Sequence, residues 1–226
     1  MKTIHFFTSL FGIWVGITLA HAQKVYTPEE VSAFKSTTAD WIRNNERLSQ
    51  VMVDKVFSFA ELGFQEQASS EYLTSILEKN GFDIQWGLSG IPTAWVATWS
   101  HGSGPVIALG SDVDCIPKAS QYPGVAYHKP MVEGAPGHGE GHNAGIPLNI
   151  TAALAVQQVM KANKIGGTLM LWPGIAEELV AAKAWFVRDG VFKGVDACIF
   201  THVSSNMEVS WGPATGTGLI SVEFTF

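Results

Sequence analysis

The order strand, helix, strand in the second half of the chain is the feature that most limits its fold. Residues 167–172 are a hydrophobic strand run, residues 179–188 have a helical pattern, and residues 195–201 are a second strand run. Two strands joined through a helix lie parallel in one sheet, because the helix carries the chain back to the same edge. We therefore expect an α/β fold with a parallel pair of strands.

The first half of the chain supplies further helices and strands for the same domain. Helical patterns cover residues 27–63 and 69–79, and hydrophobic strand runs follow at residues 82–88, 93–99 and 105–109. A long loop over residues 116–142 leads into another helix, residues 144–162. These short spacings leave no room for a second domain before about residue 205, so one domain is expected.

The N-terminus has the composition of an export signal. Lys2 precedes an apolar stretch over residues 6–20 that contains no acidic residue, and Ala20-His21-Ala22 is a small-x-small cleavage site. Residues 1–22 are therefore predicted to be a signal peptide, and the protein to be exported, periplasmic or secreted. An uncleaved anchor is the alternative, but the stretch is shorter than the roughly 20 apolar residues of a spanning helix. No stable membrane anchoring is expected after cleavage.

Charge and cysteine content exclude several classes of protein. The formal net charge is −6 and there is no basic run, so neither nucleic acid nor an anionic membrane is expected as a partner. The two cysteines, Cys115 and Cys198, are too few for a disulfide framework. Both lie at or near apolar strand runs, and we expect them to be buried free thiols.

Acidic and imidazole side chains follow the ends of the predicted strands. They are Asp112 and Asp114 after residues 105–109, Glu177 and Glu178 after residues 169–172, His202 at the end of residues 195–201, and Glu140 and His142 in the loop before the helix 144–162. Ligands of open α/β sheets gather beyond the carboxyl ends of the strands. All these side chains are therefore expected on one rim of the sheet.

Each group also has a simpler explanation when it is taken alone. Asp112 and Asp114 fit turn chemistry, Glu177 and Glu178 fit the first turn of a helix, and His202 fits a hydrogen-bonded core histidine. Their coincidence on one rim is what indicates a site for a divalent metal.

Metal chemistry assigns roles within this group. The imidazoles of His142 and His202 and the carboxylate of Glu140 suit zinc, with manganese or cobalt as competitors. Successive side chains diverge, so one of Glu177 and Glu178 would bind the metal. The other would hold a water molecule and move its proton to a leaving amine. This division predicts a metal-dependent hydrolase.

Several motifs together resemble the zinc-dependent carboxypeptidase and amidohydrolase superfamily, in its amidohydrolase branch. They are residues 59–66 (FAELGFQE), residues 90–94 (GIPTA), Asp112-x-Asp114-x-x-Pro117, Gly137-His138-x-x-Gly141-His142-Asn143, Ala176-Glu177-Glu178, and residues 190–196. The resemblance extends over nearly all of the chain after residue 22. It implies a mixed, mainly parallel sheet flanked by helices, as in a zinc-peptidase catalytic domain.

The resemblance also implies roles for individual residues. Glu177 corresponds to the catalytic base. The metal ligands would be Glu140, His142, Glu178 and His202, and the residues that contact ligands or substrate would be Asp112, Asp114, His138 and Asn143. Two ions, most readily zinc, are implied for the complete protein.

Two features depart from the family pattern. Glu140 stands where the branch usually has cysteine, and a harder carboxylate shifts the metal preference toward manganese or cobalt. Family members are also longer, with an inserted lid or dimerisation domain. The alternating run over residues 220–226 has no turn or cap. We therefore expect residues 23–215 to be an incomplete catalytic domain and residues 216–226 to start a strand leading into the lid, through which a homodimer would form.

The function expected from these features is hydrolysis of an amide bond in N-acyl or N-aroyl amino acids or small peptides. An exported metal- or ligand-binding protein without turnover is the alternative, which Glu140 and the absent lid both permit. A serine hydrolase is disfavoured because the chain has no Gly-x-Ser-x-Gly elbow. The side chains of Trp95, Trp99, Trp172 and Trp211 could line an aromatic acyl pocket, although strand tryptophans more often belong to the core.

Overall fold

Three helices come first along the chain, and five strands with two further helices between them follow. A computed structural model describes residues 24–179, 182–212 and 222–226. The helices are α1 (Pro28–Asn44), α2 (Glu46–Phe59), α3 (Gln67–Lys79), α4 (His142–Asn163) and α5 (Ala182–Asp189). The strands are β1 (Asp83–Trp86), β2 (Trp95–His101), β3 (Val106–Asp112), β4 (Gly167–Gly174) and β5 (Ala197–Phe200). The predicted signal peptide, residues 1–22, lies outside the described residues.

The helical pattern over residues 27–63 is two helices, and its prediction as one helix was wrong. Helix α1 begins with a capping box, in which Thr27 Oγ1 accepts the Glu30 amide at 3.2 Å and the Glu30 carboxylate accepts the Thr27 amide at 2.8 Å. It ends at Asn45, whose side chain donates to the Trp41 carbonyl at 2.8 Å. Because Asn45 takes up a helix carbonyl and leaves helical geometry, the chain turns there before α2 begins.

The five strands form one mixed sheet in the order β1-β2-β4-β3-β5. β3 pairs in parallel with both β4 and β5, whereas β2 pairs antiparallel with β1 and with β4. The predicted parallel direction of residues 167–172 and 195–201 is confirmed, although the two strands are not neighbours: β3 lies between them, and Leu109 is opposite both Leu171 and Ile199. A helical connection determines the relative direction of two strands but does not prevent a third from lying between them.

The helices pack on both faces of this sheet. Helix α4 contacts β3 and β4, and α1 and α2 contact its outer side. On β4, the Trp172 ring contacts the rings of Phe186, Phe192 and Phe200 at centroid distances of 6.4, 4.8 and 5.6 Å. Trp95, Trp99 and Trp172 are buried in the core, whereas Trp211 is 97% exposed. These four tryptophans therefore do not line a common pocket.

The described residues after β5 have no regular secondary structure. Residues 201–212 form no helix or strand, residues 213–221 lie outside the described residues, and residues 222–226 are exposed without regular secondary structure. Most of the strand predicted over residues 216–226 therefore falls on residues that are not described. Across the described residues, every helix is too short or too polar to cross a membrane.

The two cysteines have different environments. Both are free, and Cys115 is buried as expected, but Cys198 is exposed and its prediction as a buried thiol was wrong. Cys198 lies on β5, which is at the edge of the sheet and has all four of its residues exposed. An apolar strand run indicates a strand without showing whether other elements cover it.

The cysteine environments predict which thiol reacts first. Burial and the nearby charge of Asp114 raise the pKa of Cys115 to about 12, so this thiol is both protonated and inaccessible at pH 8. Iodoacetamide should label Cys198 in the native protein and Cys115 only after denaturation, as mapped by mass spectrometry. Labelling of Cys115 under native conditions would contradict the packing described.

A second prediction concerns Gly110, which is paired with Trp172 across β3 and β4. A Cβ atom at residue 110 would overlap the Trp172 indole. Gly110→Ala should therefore lower the free energy of unfolding in urea by about 1–3 kcal/mol. In a Trp172→Leu background the same change should cost less, because the smaller side chain leaves room. Equal costs in the two backgrounds would exclude this contact as the cause.

Candidate functional site

The parallel strands end together at one edge of the sheet. Asp112 is the last residue of β3 and is paired with Gly174, the last residue of β4. A Cβ atom at residue 174 would overlap the Asp112 carboxylate, so glycine makes room for this buried acid. β5 ends beside them at Phe200, two residues before His202. The strand ends thus meet as the sequence predicts.

His142 reaches this edge because it is the first residue of α4. Gly141 precedes it with φ +74°, a left-handed conformation that favours glycine and turns the loop into the helix. The His142 ring is buried, and its Nδ1 lies 3.0 Å from the Asp114 carbonyl oxygen. Burial lowers the pKa of His142, but the hydrogen bond to Asp114 and the charge of Asp112 outweigh it, and the pKa is raised overall.

The imidazoles of His142 and His202 face each other, with their Nε2 atoms 3.1 Å apart. Nδ1 of His142 is next to the Asp114 carbonyl and Nδ1 of His202 is 2.7 Å from the Val203 carbonyl. A carbonyl can only accept, so each Nδ1 carries the proton and each neutral ring keeps a lone pair on Nε2. While both rings are neutral, two lone pairs at this distance repel, and either a proton or a metal cation between them removes the repulsion.

Two groups of potential metal ligands overlap at His142. Asp112, His142 and His202 form one group, and Glu140, His142 and Glu178 form the other. Within each group the ligand atoms lie within 4.8 Å of one another. The structure thus brings together all four residues predicted as ligands, and it adds Asp112 to them.

Two buried carboxylate oxygens in the same cluster accept no hydrogen bond from the described residues. They are Asp114 Oδ1 and Glu178 Oε1, which lie 3.5 and 3.9 Å from His142 Nδ1. Burial, followed by the nearby charge of Glu140, raises the pKa of Glu178. Unpaired buried acceptors destabilise a fold unless a ligand satisfies them. Hard oxygen and imidazole donors of this kind fit a divalent metal ion.

Lys183 belongs to the site, although the sequence interpretation missed it. Its Nζ lies 2.8 Å from Asp112 Oδ1 and 3.6 Å from Glu177 Oε1. Burial raises the pKa of Asp112, and the Lys183 ion pair opposes that rise. Lys183 is the second residue of α5, whereas the predicted helix begins at residue 179; the sequence therefore held no signal for Lys183, whose contact with Asp112 depends on tertiary packing.

His138 and Asn143 make their hydrogen bonds elsewhere. His138 Nε2 is 3.1 Å from the Val56 carbonyl, and Asn143 Nδ2 donates to the Val53 carbonyl at 3.4 Å. Both side chains fasten the loop and the start of α4 to α2, and neither bonds to the four predicted ligands. Their predicted contacts with ligand or substrate therefore stay a prediction.

Sequence comparison identifies relatives of known activity. No family model matches the chain. One subunit of the p-aminobenzoyl-glutamate hydrolase of Escherichia coli is 33% identical in an alignment 171 residues long that covers 71% of this chain and 35% of that protein. Thermostable carboxypeptidase 1 of Saccharolobus solfataricus is 30% identical in an alignment 172 residues long that covers 74% of this chain and 40% of that protein. The chain therefore spans less than half the length of these relatives.

Comparison with solved structures identifies proteins that share the fold of this chain. An aminobenzoyl-glutamate utilization protein from Klebsiella pneumoniae matches with a TM-score of 0.55 and 18% identity, over 74% of this chain and 46% of that one. A dinuclear metal-binding peptidase of the M20 family from Bacillus subtilis matches with a TM-score of 0.54 and 23% identity, over 73% of this chain and 45% of that one. The fold expected from the motifs is confirmed, and together with the sequence relatives it establishes that the chain belongs to the carboxypeptidase and amidohydrolase superfamily.

Proposed function

We propose that the protein is a metal-dependent hydrolase that cleaves an amide bond in N-acyl or N-aroyl amino acids or small peptides. The observation that carries the proposal is the approach of His142 Nε2 and His202 Nε2 to 3.1 Å, each with its Nδ1 next to a carbonyl oxygen. This arrangement directs two nitrogen lone pairs at one point, and a metal cation at that point would be bound by both imidazoles.

The ligands in this proposal are the four residues expected from the sequence. They are Glu140, His142, Glu178 and His202. Zinc suits this mixture of imidazole and carboxylate, and the carboxylate of Glu140 admits manganese or cobalt as competitors. A second ion, as in the dinuclear metal-binding peptidase from Bacillus subtilis, would take Asp112 as a carboxylate ligand and needs further ligands other than His142 and His202, because each neutral ring has one lone pair.

Glu177 is proposed as the group that moves the proton. A divalent ion bound here would polarise the substrate carbonyl and lower the pKa of a water molecule. The Glu177 carboxylate takes a proton from the attacking water and returns it to the amide nitrogen as the C–N bond breaks, which yields a carboxylic acid and an amine. Lys183 Nζ, 3.6 Å from Glu177 Oε1, holds this carboxylate beside the cluster and leaves Oε2 for the proton.

The substrate class follows from the relatives. Their names specify a p-aminobenzoyl-glutamate hydrolase, two carboxypeptidases and an N-acetyl-L-cysteine deacetylase. Each name implies an amide or peptide bond to an amino acid. A small substrate with such a bond is therefore proposed for this chain too, and the reaction is proposed to take place outside the cytoplasm because residues 1–22 have the composition of an export signal.

Removal of His142 tests the metal site. Because His142 belongs to both ligand groups, His142→Ala should weaken Zn²⁺ binding at least about tenfold in the full-length protein. Calorimetric titration of metal-free protein with Zn²⁺ measures the effect. The control is His128→Ala, which removes an exposed loop histidine and should bind Zn²⁺ as the wild type does. Equal affinity in the two variants would refute the site.

Glu177→Gln tests the proton transfer. The variant should retain its metal, while turnover of a hydrolysed N-acyl or N-aroyl amino acid should fall about 10²- to 10⁴-fold, because an amide cannot accept the proton. Metal analysis and a pH-stat assay measure the two quantities, and Glu133→Gln, on an exposed loop, is the control. Unchanged turnover would exclude Glu177 as the base. A wild-type protein that binds metal but hydrolyses no amide would instead be a binding protein without turnover.

A further inference from the structure

We infer that Glu66 is a positioning residue that holds the backbone at Ala176 and thereby aims Glu177 and Glu178 at the metal cluster. The inference rests on the proposed function and extends it to a residue outside the cluster. Glu66 contacts neither a proposed ligand nor the proposed base through its side chain. It acts on them through the peptide that precedes them.

The Glu66 carboxylate is fully buried, with two specific partners. Oε1 accepts the Ala176 amide at 2.8 Å, and Oε2 accepts the Thr93 hydroxyl at 3.0 Å. Burial raises the pKa of Glu66, which these hydrogen bonds only partly counteract. A buried acid costs free energy that an apolar side chain of the same size would not. The acid is therefore explained by the two buried donors that it accepts, and not by hydrophobic packing of the core.

Ala176 needs support because of its backbone conformation. Its φ is +52°, in the left-handed region, although it carries a Cβ. That conformation costs a non-glycine residue about 1–2 kcal/mol. Ala176 is fully buried and directly precedes Glu177 and Glu178, so it turns the chain at the end of β4 and sets the direction of both glutamates. The hydrogen bond from its amide to Glu66 stabilises the strained turn.

The other end of this turn is held by Asp114. The Glu178 amide donates to Asp114 Oδ2 at 3.1 Å. Gly63, in the same loop as Glu66, packs closely against Ala176 and Asp114. A Cβ at residue 63 would lie 3.0 Å from Ala176 Cα and 3.2 Å from Asp114 Oδ2. The turn is thus held at Ala176 by Glu66 and at Glu178 by Asp114. Loss of the hydrogen bond to Glu66 would release the turn at Ala176.

Helix capping does not account for Glu66. It occupies the N-cap position of α3, but its side chain makes no capping hydrogen bond. The amides at the start of that helix go to Glu61, whose carboxylate accepts Ala68 and Ser69, each at 2.8 Å. The two acids of the loop therefore have separate tasks. Glu61 caps the helix, and Glu66 supports the turn that carries the proposed base.

Co²⁺ titration of the full-length, metal-free protein tests this inference, because the d–d absorption spectrum reports the arrangement of the ligands. Glu66→Met fills the same space without an acceptor, and it should weaken Co²⁺ binding about 10- to 100-fold and change the spectrum. Glu66→Gln should restore the wild-type affinity and spectrum, because its amide oxygen can accept the Ala176 amide while its NH₂ group donates to Thr93.

Two controls separate positioning from general loss of stability. Thr93→Val removes the other partner of Glu66, and Glu61→Ala removes the cap of α3; both should lower the thermal unfolding temperature and leave Co²⁺ affinity unchanged. Wild-type Co²⁺ affinity and spectrum in Glu66→Met would overturn the inference and leave the metal site standing. If Glu66→Met does not fold, weakened Co²⁺ binding in folded Glu66→Gln overturns it instead. A wild-type protein that binds no Co²⁺ would overturn the proposed function, and this inference with it.

Discussion

The position of β3 between β4 and β5 is the constraint on which the site depends. The parallel ladders on both sides of β3 bring the three carboxyl ends to one edge, and the acids and His202 that follow them are therefore neighbours. Close contact is possible because β3 has Gly110 where Trp172 of β4 passes over it. Helix α4, which packs on β3 and β4, then adds His142 to the same edge.

The side chains proposed to bind the metal lower the stability of the metal-free protein. Two neutral imidazole nitrogens 3.1 Å apart, and the buried oxygens of Asp114 and Glu178 that accept no hydrogen bond, all destabilise the protein without a cation. Binding of a metal ion would convert these costs into ligand bonds, so that metal affinity and folding stability become one linked quantity. Lys183 offsets part of the negative charge through Asp112, and Glu66 supports the strained turn behind Glu177.

Local sequence pattern was sufficient for the parallel direction of β4 and β5 and for the grouping of the predicted ligands. Helix α3 and strand β4 appear close to where hydrophobic spacing predicts them, and the acids and histidines after strand ends converge because parallel strands end at the same edge. Contacts distant in sequence could not be predicted in the same way. The insertion of β3 between β4 and β5, the exposure of Cys198 at the sheet edge, and the return of Lys183 to Asp112 all depend on tertiary packing.

Anomalous scattering from a crystal of the zinc-loaded protein is the most direct test of the proposed metal site. Data collected on both sides of the zinc absorption edge would locate each ion without reference to a mechanism. We predict an anomalous peak within bonding distance of the Nε2 atoms of His142 and His202 and of the Glu178 carboxylate, with zinc–nitrogen distances of about 2.0–2.1 Å. A peak elsewhere, or two rings that remain in direct contact without an ion, would contradict the assignment of these residues as ligands.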